Sequence, residues 1–202
     1  MPDLEIRASG KSADWSDLRK AAEALNVEIA IGFPSGRQHV PTRHDKKRPK
    51  KGEGGKNATP VPMETCELAR VLHNGSATIP ARPFLEDAIR ENEETIYKAI
   101  EKEINKAVSG KTPNWDSIGV LAVGKVQELV RSNWYKTRAP NAESTIKRKT
   151  VNGNVGDQPL IDGADLINSL AYIKKGGYVT LNRKGQAEEH NAESYNSMDF
   201  RS

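Results

Sequence analysis

The order of apolar and polar positions predicts a helix followed by a strand near the start of the chain. Apolar residues recur at helical spacing from Trp15 to Leu25, and Ser12 or Asp14 can cap this helix. In residues 27–34, with the sequence VEIAIGFP, large apolar residues then alternate with Glu28 and Ala30 up to Gly32 and Pro34. That period is typical of a half-buried strand.

Two amphipathic helices are predicted in the middle of the chain. The first carries apolar residues from Leu68 to Leu72 and ends at Asn74-Gly75, where glycine readily takes the left-handed conformation. The second is predicted to be the longest helix, because apolar residues keep helical spacing from Leu85 to Ala107, over about six turns. It therefore has one stripe to bury and one charged face for solvent.

A further helix is predicted after Asp116, with apolar residues between Ile118 and Val130. Gly119 and Gly124 lower its intrinsic stability and allow close packing of another element. Asn141 is a plausible cap for the short basic helix that comes next.

The last third predicts a short helix and a hairpin. Asp162 can cap a helix on which Leu166 and Leu170 share one face. Tyr172–Ile173 and Tyr178–Leu181 then have strand composition and are separated by a Gly-containing turn.

These elements predict an α+β fold with one small, mostly antiparallel sheet flanked by amphipathic helices. We expect a single domain over residues 1–182, with a flexible basic insertion at 35–62. Residues 183–202 are polar and mixed in charge, and we expect them to form a C-terminal arm.

Positive charge is concentrated in the insertion. Residues 35–62 contain eight cations and two acids, a net charge of +6, whereas the whole chain carries +4. The segment has many Pro and Gly and no large apolar residues, so it is expected to be flexible until a partner orders it. Its candidate contacts with a neighbouring subunit, another partner or DNA are Arg37, Arg43, Lys46, Lys47, Arg48, Lys50, Lys51 and Lys56.

Composition argues against several other classes of protein. No apolar run approaches the roughly 20 residues of a membrane-spanning helix, and no secretory leader is recognisable. Cys66 falls within helical periodicity as a small apolar residue, so a nucleophilic role is not expected. The four histidines lack the spacing of a zinc site, and we predict neither a metal nor a cofactor.

Four stretches, in collinear order over roughly residues 25–175, resemble the tail-completion proteins of tailed bacteriophages. That family includes the virion-morphogenesis and minor tail protein Z-like groups. The stretches are VEIAIGF, ELARVLHNGSATIPARPFL, PNAESTIKRK and PLIDGADLINSLAYI. The insertion and the C-terminal segment depart from the family pattern, which has a shorter connection after the first strand and ends soon after the last.

The resemblance implies a structural protein of the virion and no enzyme. It implies a ring subunit, with six-fold symmetry, that surrounds the DNA channel, completes the tail and helps to join it to the head. Assembly would occur in the host cytoplasm, and the protein would then reside at the head–tail junction or tail end. The implied partners are further copies of the chain, a connector or adaptor, the tail terminator and the tail tube.

Arg82 is the candidate for a specific contact between subunits. Pro80 and Pro83 bracket it and fix an extended entry into the helix that begins near Phe84. A guanidinium held in this way can bind a carboxylate bidentately on a neighbour, and an internal salt bridge is the alternative.

Two other classes of function were weighed. A nucleic-acid-binding protein acting through residues 35–62 would explain the pI near 9.1, although no base-stacking aromatic residues accompany the cations. A His-Asn-His nuclease built from His44, Asn57 and His73 lacks the local structure that a metal site needs. Within a ring, we favour a subunit or connector contact for the insertion over non-specific contact with genomic DNA, because cations facing the channel would slow genome exit.

Overall fold

The structure, a computed structural model, describes residues 19, 22–34, 63–151, 153, 155–161, 165–174, 177–182 and 184–191. The basic insertion and all eight of its candidate cations lie outside the described residues. The same holds for Ser12, Asp14 and Asp162, which were predicted to cap helices.

Most of the helices come before most of the strands in the chain. After a helical stretch at residues 22–25, the helices are α1 (Thr65–Asn74), α2 (Phe84–Glu91), α3 (Glu93–Val108), α4 (Asp116–Arg131), α5 (Tyr135–Arg138), α6 (Glu143–Val151) and α7 (Asp165–Ser169). The strands are β1 (Ala30–Gly32), β2 (Ala171–Lys174), β3 (Gly177–Leu181) and β4 (Ala187–Asn191).

The strands form one antiparallel sheet in the order β1-β2-β3-β4. Ile31 of β1 lies opposite Tyr172 of β2, and Ile173 lies opposite Tyr178 of β3. The predicted α+β class and the β2–β3 hairpin are confirmed. β1 is shorter than predicted, because the chain before Ala30 is not paired and Val27 is 43% exposed.

β4 lies within the segment that was predicted to be a C-terminal arm, so that prediction is wrong for residues 187–191. The strand pairs with β3 along its whole length. Most of its side chains are exposed, and its sequence, AEEHN, correspondingly has no apolar alternation. Polar contacts fix it instead, including Thr180 Oγ1 to His190 Nε2 at 2.9 Å and Lys174 Nζ to Glu189 Oε1 at 2.8 Å.

The predicted long helix from Leu85 to Ala107 is two helices, α2 and α3. The backbone leaves helical geometry at Asn92, where φ is −118° and ψ is 17°. The Asn92 side chain donates a hydrogen bond to the Ala88 carbonyl at 2.9 Å, which satisfies the end of α2. The break lets α2 bury Phe84 and Ala88 while α3 takes a separate direction.

α4 is the centre of the hydrophobic core. It packs against α2, α3 and the first three strands, as the predicted apolar stripe requires. Val123 and Val126 of α4 are almost completely buried, as are Phe84 of α2 and Leu170 after α7. Exposed residues lie on the outer sides of α2, α3 and α6.

Candidate interaction surfaces

The loop between α1 and α2 folds back and carries Arg82 into the protein. Gly75 ends α1 at a φ of +77°, as the sequence predicted, and a β-carbon there would meet the backbone of Ala81. The Arg82 backbone N–H then bonds to the carbonyls of Leu72 and His73, at 3.0 and 3.1 Å. The Arg82 side chain is consequently only 4% exposed.

The Arg82 guanidinium holds the chain that leads from α5 into α6. Its Nε donates to the Ala139 carbonyl at 2.9 Å, and its Nη2 donates to the Pro140 carbonyl at 3.1 Å and to Asn141 Oδ1 at 3.3 Å. Burial lowers the pKa of Arg82. These acceptors replace the internal salt bridge considered from the sequence. The contact between Arg82 and a neighbouring subunit stays a prediction, and such deep burial lends it no support.

Asn141 does not cap α6, so that prediction is wrong. Its side-chain oxygen accepts from Arg82, and its Nδ2 donates to the Gly156 carbonyl at 3.0 Å. Asn141 therefore joins two loops rather than ending a helix. The α6 backbone begins instead with hydrogen bonds from Thr145 and Ile146 to the Ala142 carbonyl.

A cavity of about 280 Å³ lies beside Arg82, between α1, the loop after it, α6 and α7. Three of the four stretches that carry the family resemblance meet there, with Leu68, Leu160 and Leu166 in its walls. Lys149 of α6 is 4% exposed and donates to the carbonyls of Gln158 and Ile161, at 2.8 and 2.6 Å. Arg82 and Lys149 both donate hydrogen bonds to backbone carbonyls, so these stretches have a structural role in holding neighbouring loops together.

α2 and α3 form one wall of an apolar groove of about 670 Å³. Its apolar side chains are partly exposed and come from β1 and both helices: Ile31, Leu85, Ile89, Ile96, Tyr97 and Ile100. The charged residues at its edge are Glu86, Arg90 and Glu93. The sequence correctly predicted an apolar stripe on α3, but of that helix only Glu103 and Ala107 are buried in the chain.

Outside residues 35–62 the chain has a net charge of −2, but its acids and bases are concentrated in separate regions. Residues 86–103, from α2 and α3, contain seven acids and three bases, a net charge of −4. Residues 131–149, from the end of α4 to α6, contain six bases and one acid, a net charge of +5. Counting charge in local windows would have found both regions from the sequence.

The end of α6 and the turn after it carry exposed basic and apolar residues, which we call the α6 patch. It consists of Lys147, Arg148, Val151 and Val155. Lys147 and Val151 are four residues apart on the helix and therefore lie on the same face. Val151 is 82% exposed and Val155 is 60% exposed, the two highest values among the large hydrophobic residues of the described part.

The described residues contain no group of three or more metal-ligating side chains and no helix long and apolar enough to cross a membrane. The Cys66 thiol donates to Glu64 Oε2 at 3.2 Å, and burial together with that carboxylate raises the pKa of Cys66. His73 packs edge-on against Phe84, and the other two residues of the possible nuclease set, His44 and Asn57, lie outside the described residues.

Neither models of protein families, nor curated proteins, nor solved structures give a significant match to the chain. The similarity to tail-completion proteins therefore rests on the four sequence stretches. The role that it implies is a proposal.

Proposed function

We propose that the protein is a non-enzymatic virion subunit that completes a phage tail and helps to join the tail to the head. In this role several copies, six by the family resemblance, form a ring around the DNA channel. Assembly takes place in the host cytoplasm. The observation that carries the proposal is the apolar groove on α2 and α3, whose apolar side chains are partly exposed in the described structure.

The groove is a candidate contact surface because its apolar side chains, each partly exposed, would be covered by another chain on binding. Contiguous apolar surface is common at sites of contact with other molecules. Here six apolar residues line one groove on neighbouring elements. A ring of identical subunits would bury this surface once in every subunit.

The basic insertion extends the same proposal to the other partners. A segment with a net charge of +6 suits an acidic surface on the next subunit or on the connector, where it would be ordered on binding. The tail tube, the tail terminator and the connector or adaptor are the proposed neighbours of the ring. Non-specific contact with the genome is a further possibility for the same cations.

A basic nucleic-acid-binding protein acting through residues 35–62 is the alternative. The net charge of +5 over residues 131–149 favours it, because it adds a second cationic region to the insertion. However, Trp134, in the same region, is partly buried against the core, and the Arg138 guanidinium lies over it at 3.7 Å from its ring centre. A base could stack there only by displacing that cation.

The deciding measurement is the mass of the purified full chain in solution at low and high salt, with and without tail tubes stripped of heads. A discrete ring, or a monomer that becomes a ring on tube ends, would support the joining role. A variant with all eight cations of residues 35–62 changed to Gln would show whether the insertion is needed. A monomer that ignores tubes but binds duplex DNA with a steep salt dependence would overturn the proposal in favour of the alternative.

A further inference from the structure

The α2–α3 groove has the chemistry to accept an apolar segment that carries positive charge. Its floor is formed by Ile and Leu side chains, and Glu86 and Glu93 stand at its edge, both exposed. Arg90, the cation at the same edge, already forms an ion pair with Asp87 on its own helix. Glu93 is therefore available to cations from outside, whereas Glu86 Oε1 also lies 3.7 Å from His73 Nε2, and residues 86–103 together have a net charge of −4.

The α6 patch has the complementary chemistry on the same chain. Val151 is 82% exposed and Val155 is 60% exposed, and Lys147 and Arg148 lie three to four residues before Val151 on the helix. Moving two exposed valine side chains from water into an apolar groove is favourable in free energy. The two neighbouring cations would lie next to carboxylates at the edge of the groove, and this complementarity of charge fixes the orientation of the contact.

The two surfaces belong to different parts of the molecule. The groove is built from β1, α2 and α3, and the α6 patch lies at the end of α6 and in the turn after it, so the two share no residue. A contact between different surfaces of identical chains is head-to-tail. Such a contact generates a closed ring when the rotation between subunits closes, and an open filament when it does not.

We propose that the α6 patch of one copy docks in the α2–α3 groove of the next copy and is the repeating contact of the ring. This inference rests on the proposed ring function and adds the surfaces that build it. Lys147 and Arg148 face Glu86 and Glu93 of the neighbour, and Val151 and Val155 contact the apolar floor of its groove. Every copy thereby contributes one patch and one groove.

The test uses two full-length variants with opposite charge reversals. One variant carries Lys147→Glu and Arg148→Glu, and the other carries Glu86→Lys and Glu93→Lys. Each variant alone places like charges at every contact, so its association constant should fall by about tenfold or more. Mixed in equal amounts, the two variants should form rings again, because every contact in an alternating ring then pairs opposite charges. Sedimentation velocity of each variant and of the mixture measures this.

The controls separate this contact from the ring itself. All four reversed residues are exposed, so each variant should unfold at the temperature of the unmodified chain within a few degrees. A variant with Lys111→Glu and Lys184→Glu makes the same charge change at exposed sites outside both surfaces, and it should still assemble.

Rings that form normally from either reversed variant would overturn the docking inference and leave the ring function intact. A chain without substitutions that never assembles, even on tail tubes, would overturn both. If the reversed α6 patch loses DNA binding while assembly is unchanged, the patch is a nucleic-acid surface and the docking inference is wrong.

Discussion

Gly119 of α4 lies directly against the aromatic ring of Tyr172 in β2. A β-carbon added at Gly119 would overlap the ring carbons Cγ and Cδ2, so only glycine fits between this helix and this strand. The Tyr172 hydroxyl donates to Asp116 Oδ1 at 3.0 Å, one turn earlier on the same helix. Burial and this hydrogen bond raise the pKa of Tyr172 to about 12, which keeps the phenol protonated at neutral pH.

Replacing Gly119 by Ala should therefore destabilise the protein although alanine favours helices. We expect Gly119→Ala to lower the free energy of unfolding by about 1–3 kcal/mol, because the strand or the ring must move. Gly124→Ala is the matched control on the same helix, where the nearest atom to an added β-carbon is Leu181 Cδ1 at 3.9 Å. That change should raise the free energy of unfolding by up to about 1 kcal/mol. Urea denaturation measures both, and equal effects at the two positions would contradict the close approach.

α4 shows what apolar periodicity can predict. Its stripe of apolar residues and its glycines were sufficient to place it as a packed helix with a close neighbour. The sequence could not say which glycine makes the contact, because that depends on where Tyr172 arrives from a distant part of the chain. The break at Asn92 was missed for a related reason. The apolar spacing continues in phase from α2 into α3, and the one local signal of a second helix is Asn92 followed by Glu93 and Glu94.

The parts that sequence reasoning missed rely on backbone and polar partners. β4 has no apolar alternation, since its outer position in the sheet leaves most of its side chains exposed. Arg82 was singled out for a contact with a carboxylate, but its acceptors are mainly the carbonyls of Ala139 and Pro140, which no side-chain pattern reveals. The opposed charges of the groove and the α6 patch were present in the sequence. They became meaningful only when the fold placed each region beside exposed apolar residues.

The fork of hydrogen bonds from Arg82 should make Arg82→Lys costly. An ammonium group cannot reach both carbonyls and Asn141 from the same position, so buried acceptors are left without donors. We expect a loss of about 1.5–3 kcal/mol in the free energy of unfolding, with faster amide hydrogen exchange at residues 139–146. Arg138→Lys, at an exposed arginine stacked on Trp134, should cost less than about 1 kcal/mol. An Arg82→Lys variant as stable as the Arg138→Lys control would show that the guanidinium is not needed to hold this loop.

Glu103 should make stability depend on acidic pH. This carboxylate is 4% exposed and accepts hydrogen bonds from the Asn114 backbone N–H at 2.7 Å and from Lys106 Nζ at 2.7 Å. The bond from Asn114, followed by that from Lys106, lowers the pKa of Glu103 below its ordinary value of 4.5. A lowered pKa in the folded state means that the stabilisation is present above pH 4.5 and is lost as the pH falls through the folded pKa.

Glu103→Gln should accordingly destabilise the protein at neutral pH by about 1–3 kcal/mol, because the charge-assisted hydrogen bonds are weakened. The difference from the unmodified chain should shrink as the pH falls from 4.5 through the lowered pKa of folded Glu103, below which Glu103 itself is neutral. Thermal unfolding over a series of pH values measures this. Glu91→Gln, at a glutamate whose side chain is 43% exposed, should show no comparable pH-dependent difference. A Glu103→Gln effect that stays constant with pH would show that packing, not charge, accounts for the contribution of Glu103.

The exposed valines of the α6 patch provide a test of assembly that leaves the fold untouched. Val151 and Val155 are 82% and 60% exposed, so Val151→Ser and Val155→Ser together should change the free energy of unfolding by less than about 1 kcal/mol. If these side chains enter the groove of the next copy, the same double change should weaken ring formation by about tenfold or more. Met63→Ser removes another exposed apolar side chain, 42% exposed and outside both surfaces, and should leave assembly unchanged. Light scattering over a range of protein concentrations would compare the three chains. Equal assembly by the double variant and the Met63→Ser control would mean that the groove accepts a different segment.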